Sequence, residues 1–186
     1  MVDTLRRIFG AAERLETERL ILRRPTVADA EPIFERYASD PDVTRFLAWP
    51  RHVSVEDAQV FLAYSDAEWR QWGCGPYLAH LRADGRLLGS TGLAFESRTV
   101  ASTGYVLARD AWGVGYATEM LQTMVEVGRG IGLRRLYAIC HVDHRASARV
   151  MEKGGLVREG VVPRHTVFPN LGPDRADVLC YAIQFR

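Results

Sequence analysis

Apolar and polar residues alternate along the chain between residues 76 and 107, and from Tyr116 onward apolar residues recur at helical spacing. Side chains repeat every second residue in a strand and about every 3.6 residues in a helix, so the first pattern predicts strands and the second a helix. The whole chain, interpreted in this way, predicts strands at 19–24, 76–81, 87–94, 102–107, 133–142, 156–162 and 177–185, and helices at 26–38, 54–72, 116–129 and 146–153. This order predicts a mixed α+β domain in which helices flank a mostly antiparallel central sheet.

Short polar motifs mark where several of these elements begin and end. Thr26 with Asp29, and Ser54 with Asp57, form the capping pattern that starts a helix. Residues 42–51 are predicted to form an ordered loop rich in aromatic side chains. We expect residues 1–14 to be an N-terminal extension and residues 15–186 to form a single domain.

The composition changes this picture little but excludes several classes of protein. Of the 186 residues, 47% are hydrophobic and 25% are charged, as in an ordinary globular domain. No apolar run reaches the roughly 18 residues of a membrane span, and a net charge of +1 gives no general attraction to nucleic acid. The cysteines are widely separated, and no cluster of ligand residues predicts a metal site. We therefore expect a cytoplasmic protein, monomeric or homodimeric, without membrane, nucleic-acid or metal partners.

A glycine-rich segment, Trp112-Gly-Val-Gly-Tyr-Ala-Thr118, follows a predicted strand and opens a predicted helix. Glycines in this position let the backbone approach a ligand, and the free N–H groups of the helix start favour an anion such as a diphosphate. A tight strand-to-helix turn without a ligand is the alternative interpretation. A dinucleotide-binding turn is excluded, because Thr118 stands where the third glycine is required and the motif follows three antiparallel-type strands.

Two linked motifs resemble those of the GNAT acetyltransferases. The first runs from Gly104 through the glycine-rich segment to Glu119, and the second is His144-Arg-Ala-Ser-Ala-Arg-Val-Met-Glu-Lys-Gly-Gly-Leu156, similar to the family's Asn-x-x-Ser-x-Arg-x-x-Glu-Lys-x-Gly-Phe helix. The resemblance covers about residues 15–186 and is closest to the branch of ribosomal-protein N-terminal acetyltransferases. It implies that the fourth and fifth predicted strands splay apart around the pantetheine arm of acetyl-CoA.

The resemblance also implies a set of cofactor-binding residues. Backbone groups of the strand end would bind the pantetheine amides, and N–H groups of the glycine-rich segment would hold the diphosphate. His144 stands where relatives usually carry Asn, and it either contacts the cofactor arm, acts as a base or has no role. The complete set is Val106, Leu107, Trp112, Gly113, Val114, Gly115, Tyr116, Ala117, Thr118, His144, Ser147 and Lys153.

Two residues are predicted to be catalytic. Ser147 matches the family position near the cofactor sulfur, where it either gives a proton to the thiolate or only caps its helix. Glu96 follows the third predicted strand and is the candidate general base, unless it is a solvated strand-end carboxylate. His165 and a water chain are the alternatives for the base.

The predicted activity is N-acetyl transfer from acetyl-CoA to a primary amine, either a protein N-terminus or a small molecule. The amine would attack the thioester directly, through a tetrahedral intermediate stabilised by a backbone N–H. A non-catalytic regulatory module that only binds acyl-CoA remains the alternative, because the glycine-rich segment indicates cofactor binding and not turnover.

Overall fold

A computed structural model describes residues 11–186, and within them eight strands form one sheet in the order β1-β2-β3-β4-β5-β6-β8-β7. The strands are β1 Arg14–Glu16, β2 Leu20–Arg23, β3 Pro76–Leu81, β4 Leu87–Phe95, β5 Val100–Leu107, β6 Arg135–His141, β7 Val157–Val167 and β8 Arg175–Gln184. The helices are α1 Ala30–Ile33, α2 Pro41–Thr44, α3 Val55–Trp72, α4 Tyr116–Gly130 and α5 Arg145–Lys153, with a π-helical turn at Phe34–Ala38 after α1 and 3₁₀ turns at Val27–Asp29 and Arg109–Ala111.

The sheet opens between β5 and β6. These two strands are parallel and pair only from Val100 with Arg135 to Ser102 with Tyr137. β6 pairs along its whole length with β8 on the other side, so beyond Ser102 the β6-facing edge of β5 has no strand partner. The predicted fold class and splay are confirmed; the splayed strands are the fifth and sixth because β1 precedes them.

Helices pack on both faces of the sheet. α4 and α5 cover one face, where Met120, Leu121 and Met124 of α4 and Leu136 of β6 are fully buried. The helices between β2 and β3 cover part of the other face around Leu78. In the described part of the chain no helix is both long and apolar enough to span a membrane.

Three local predictions were wrong at their boundaries. Arg14–Glu16, placed in or beside the extension, pairs antiparallel with β2 as β1. Residues 42–44, assigned to a loop, belong to the short helix α2, which the side chain of Asp40 caps by accepting from two backbone N–H groups. β7 continues past Pro163 to Val167 because its pairing with β8 is interrupted by a bulge between Val162 and Thr166, where the missing N–H of Pro163 costs no ladder bond.

The proposed extension is only partly visible. Residues 1–10 lie outside the described residues. The next residues contact the domain, since the hydroxyl of buried Tyr77 donates to the carbonyl of Ala12 at 3.0 Å. The domain boundary at residue 15 stays a prediction.

Candidate active site

A cavity of about 440 Å³ lies where β5 and β6 part, enclosed by β5, the glycine loop (residues 112–118), α5 and α2. It follows α5 from His144 to Lys153, a distance of about 14 Å at 1.5 Å per residue. Every predicted cofactor-binding residue except Val114 lines this cavity. The Val114 side chain is instead 53% exposed, although its backbone belongs to the loop.

Within residues 11–186, the glycine loop leaves the N-terminus of α4 without a capping side chain. Gly113 and Gly115 have φ angles of +81° and +91°, a left-handed conformation that only glycine adopts without strain. Gly115 is the N-cap of α4, and no side chain of the described residues caps that helix start. The first backbone N–H groups of α4 are therefore free for an anion. The indole of Trp112 donates to the Leu107 carbonyl at 2.8 Å and ties the loop to the end of β5.

Ser147 meets Tyr105 at the wall of the cavity. The Tyr105 hydroxyl lies 2.9 Å from both the carbonyl oxygen and the hydroxyl of Ser147. A carbonyl can only accept, so when Tyr105 donates to it the Ser147 hydroxyl donates to Tyr105. Burial raises the pKa of Tyr105, so the phenol remains protonated. The sequence pattern left open whether Ser147 caps its helix; here its hydroxyl has a side-chain partner on β5.

His144 lines the cavity at the start of α5. Its ring stacks on Phe46 with centroids 4.7 Å apart, and the same Phe46 ring lies 5.3 Å from His141. Burial lowers the pKa of His144 below its ordinary value of 6.5, and electrostatic repulsion from the neighbouring His141 lowers it further. The imidazole is therefore neutral at pH 7 and has a lone pair that can accept a proton.

Glu96 lies outside this arrangement. It sits in the β4–β5 turn, where its N–H donates to the Val100 carbonyl and its carboxylate accepts from the Tyr137 hydroxyl. Val100 and Val106 are six residues apart on β5, or about 20 Å at 3.3 Å per residue. The geometry therefore gives no support to Glu96 as the base. His165 does not line the cavity either.

The opposite wall is built by the aromatic loop (residues 45–54), whose backbone is held by a distant side chain. Asn170, between β7 and β8, donates to the carbonyls of Thr44 at 2.7 Å and Trp49 at 2.9 Å. Its carbonyl oxygen accepts from the Arg51 N–H at 2.8 Å. One amide thus satisfies three backbone groups of a segment about 120 residues away.

Three residues at or beside this cavity were not among those predicted from the sequence. Tyr105 lies on β5 at the same strand spacing as buried Thr103 and Leu107 and therefore resembles a core residue. Asn170 carries no local signal, because its partners are remote in sequence. Glu119 did offer a signal: a carboxylate in the first turns of a helix that binds an anion requires a counter-charge, and Arg19 supplies it at 2.6 Å.

Comparison with known proteins agrees with this geometry. The acetyltransferase (GNAT) domain family matches residues 19–157. The uncharacterized N-acetyltransferase YoaA of Bacillus subtilis (strain 168) is 35% identical over 160 residues, which cover 81% of this chain and 86% of YoaA. A GNAT-family acetyltransferase from Bacillus anthracis shares the fold with a TM-score of 0.79 and 26% identity, over 92% of this chain and 98% of that one.

The ribosomal L7/L12 alpha-N-protein acetyltransferase RimL, solved in complex with coenzyme A, also has this fold. Its TM-score is 0.81 at 21% identity, and the match covers 92% of this chain and 98% of RimL. At that identity the likeness concerns the fold. The family rests on the domain match and on YoaA, and by both this chain belongs to the GNAT family of acetyltransferases.

Proposed function

We propose that this protein transfers an acetyl group from acetyl-CoA to a primary amine. One observation carries the proposal: the uncapped start of α4, the unpaired edge of β5 and the Ser147 hydroxyl all face one cavity. Acetyl-CoA carries a diphosphate, a pantetheine arm and a thioester in that order. The diphosphate requires an anion site, the arm requires free backbone groups, and the departing thiolate requires a proton donor.

The donor fits the cavity as follows. The diphosphate would accept from N–H groups of residues 113–118, and Lys153 at the far end of α5 would add positive charge. The pantetheine amides would pair with backbone groups of Val106 and Leu107, at the edge of β5 that has no strand partner, where the Leu107 carbonyl also accepts from the Trp112 indole. The thioester would then lie near Ser147, where β5 and β6 have parted.

The reaction is direct attack of the amine on the thioester carbonyl. A backbone N–H on the free edge of β5 would stabilise the oxyanion, an interaction that is typically worth a few kcal/mol. The Ser147 hydroxyl would give its proton to the leaving thiolate. For this step Tyr105 would donate to the Ser147 hydroxyl oxygen instead of accepting from it, since the two oxygens lie 2.9 Å apart and either can be the donor. Of the three side chains considered as a base, only His144 lines the cavity, and we assign it the proton of the amine.

The acceptor would enter beside Phe46 and His144, at the opposite end of α5 from Lys153. RimL acts on the N-terminus of a ribosomal protein, according to its name, and a protein N-terminus is one acceptor class for this chain; small primary amines are the other. Neither class requires a change in the chemistry described above.

Thiol release from acetyl-CoA, followed with DTNB in the presence of a panel of amines and N-terminal peptides, tests the proposal. Mass spectrometry of the acceptor would identify the acetylated amine. Self-acetylation is easily recognised, because Lys153 is the only lysine of the sequence. We expect thiol release that depends on one class of acceptor. Binding of acetyl-CoA without thiol release in the presence of any amine would favour the non-catalytic module.

A matched pair of glycine variants locates the site. Gly113 and Gly132 have nearly equal φ angles, +81° and +82°, and an added Cβ would meet nothing within 4 Å at either position. Gly113→Glu places a carboxylate in the glycine loop and should abolish acetyl-CoA binding. Gly132→Glu introduces the same strain beyond the far end of α4, about 22 Å along the helix, and should preserve binding. Equal binding by both variants would contradict the proposed donor site.

A further inference from the structure

Arg19, just before β2, makes an unusual set of contacts with the glycine loop. Its guanidinium donates through Nη1 to the Val114 carbonyl at 2.9 Å and through Nε to the Glu119 carboxylate at 2.7 Å. Its backbone N–H donates to the same carboxylate at 3.1 Å. The guanidinium carbon also lies 4.7 Å from the centre of the Tyr116 ring. One residue from the edge of the sheet thus holds the loop and the first turns of α4.

Glu119 makes these contacts necessary. Its side chain is only 16% exposed and lies one turn into the helix whose start is the proposed diphosphate site. Burial raises the pKa of Glu119, but hydrogen bonds from Thr17 and Arg19 outweigh it and hold the pKa below its ordinary value. The carboxylate is therefore ionised, and without Arg19 its charge would repel a diphosphate.

The bond to Val114 acts on the shape of the loop. Val114 lies between two left-handed glycines, whose peptides can rotate with little steric hindrance. Fixing its carbonyl toward Arg19 fixes the orientation of the adjoining peptide groups, and an anion site whose N–H groups are already oriented loses less entropy on binding.

We infer that Arg19 is a positioning residue for the diphosphate of the donor: it neutralises Glu119 and holds the glycine loop in its binding conformation. The inference rests on the proposed function and extends it to a residue outside both sequence motifs. Arg19 acts through the loop and through Glu119, so its contribution concerns the affinity for the donor and not the chemical step.

Steady-state kinetics of Arg19→Ala with acetyl-CoA provide the first test. We expect the KM for acetyl-CoA to rise about tenfold to hundredfold, the loss of one or two hydrogen bonds of a charged group, with kcat and the acceptor KM unchanged. Arg19→Lys keeps the positive charge but not the planar guanidinium, and its KM for acetyl-CoA should lie between those of the wild type and Arg19→Ala. Adding Glu119→Gln to Arg19→Ala removes the unpaired charge and should recover much of the affinity.

A donor without a diphosphate separates this role from a general loss of structure. With S-acetylpantetheine the wild type and Arg19→Ala should have equal kcat/KM. Arg82→Ala is the matched control, since Arg82 is exposed and its guanidinium donates to the Thr17 carbonyl at 2.8 Å in the same β1–β2 turn. Within residues 11–186 this guanidinium bonds only that turn and not the glycine loop. It should leave the KM for acetyl-CoA unchanged.

The outcomes are distinguishable. An unchanged acetyl-CoA KM in Arg19→Ala, or an equal loss with S-acetylpantetheine, would overturn the inference and leave the proposed function intact. If Arg19→Ala does not fold, the same comparison made with Arg19→Lys decides the question. A wild type that neither binds acetyl-CoA nor releases thiol would overturn the proposed function, and the inference with it.

Discussion

The glycine loop and the aromatic loop face the same cavity but are held in different ways. The glycine loop presents backbone groups, and its contacts come from Trp112 within it and from Arg19. The aromatic loop presents side chains, and Asn170 holds it across about 120 residues of sequence. A site for a diphosphate can be made from peptide N–H groups on any helix start, whereas a site for one particular amine requires side chains brought from several elements.

This difference predicts that substitutions near the glycine loop should change donor binding, those near the aromatic loop should change acceptor binding, and those between them should change the chemical step. The following predictions are ordered by the size of the expected effect.

Ser147 lies between the two loops. Ser147→Ala should lower kcat about a hundredfold, the lower end of the usual contribution of a general acid, and leave both KM values unchanged. Tyr105→Phe, which removes only the neighbouring hydroxyl, is the control and should lower kcat less. An unchanged kcat in Ser147→Ala would assign Ser147 to structure alone.

His144 is the next test, and its effect depends on pH. His144→Asn should lower kcat/KM for the acceptor about tenfold to hundredfold at pH 7.5. The wild type should lose activity as the pH falls through the lowered pKa of His144, because only the neutral imidazole accepts a proton. A pH–rate profile identical in the two proteins would contradict this role.

The same pKa has a consequence for stability. A histidine whose folded-state pKa is depressed stabilises the fold above its unfolded pKa, and this contribution is lost as the pH falls through the folded value. His52 and His80 also have pKa values lowered by burial and add to the same trend. Thermal unfolding from pH 7.5 to 5 should therefore show a falling Tm, with a shallower fall in His144→Asn.

Gly154 tests how rigidly the donor side is packed. A Cβ at this position would lie 2.4 Å from Leu121 Cδ2, and Leu121 is fully buried in α4. Gly154→Ala should cost about 1–3 kcal/mol, which lowers the Tm by roughly 3–10 °C in a chain of this size. Gly130→Ala, where a Cβ meets nothing within 4 Å, is the control for scanning calorimetry. Equal Tm values would show that α4 and α5 can move apart freely.

A substitution of Asn170 tests the aromatic loop, on the acceptor side of the cavity. Asn170→Ala removes two hydrogen bonds from the aromatic loop and one from Thr44 at the end of α2, and should raise the acceptor KM about threefold to tenfold, since the net value of a hydrogen bond is about 1 kcal/mol. The KM for acetyl-CoA should not change. Leu171→Ala, at an exposed neighbouring position, should behave as the wild type. A larger change in the KM for acetyl-CoA than in the KM for the acceptor would contradict the assignment of the glycine loop to the donor and the aromatic loop to the acceptor.

Local signals predicted the long elements correctly. The Ser54 and Asp57 pattern and the break at Gly73 enclose α3, which runs from Val55 to Trp72 and ends at a left-handed Gly73. The elements that were missed, β1 and α2, have three and four residues. A three-residue strand shows no alternation, and a four-residue helix no repeat, so both depend on contacts made elsewhere in the fold.

The sequence by itself determined the family, the order of the longer elements and the residues of the glycine loop. The loop could be located because a backbone anion site needs only glycines and a helix start that are adjacent in the chain. The tertiary structure alone decided which side chains share the cavity. It placed Glu96 beside Val100, which lies about 20 Å along β5 from Val106, and brought Tyr105 to Ser147, Arg19 to Glu119 and Asn170 to the aromatic loop. Those pairings depend on strand register and on loops that meet across the sheet, and neither is encoded at any fixed spacing in the chain.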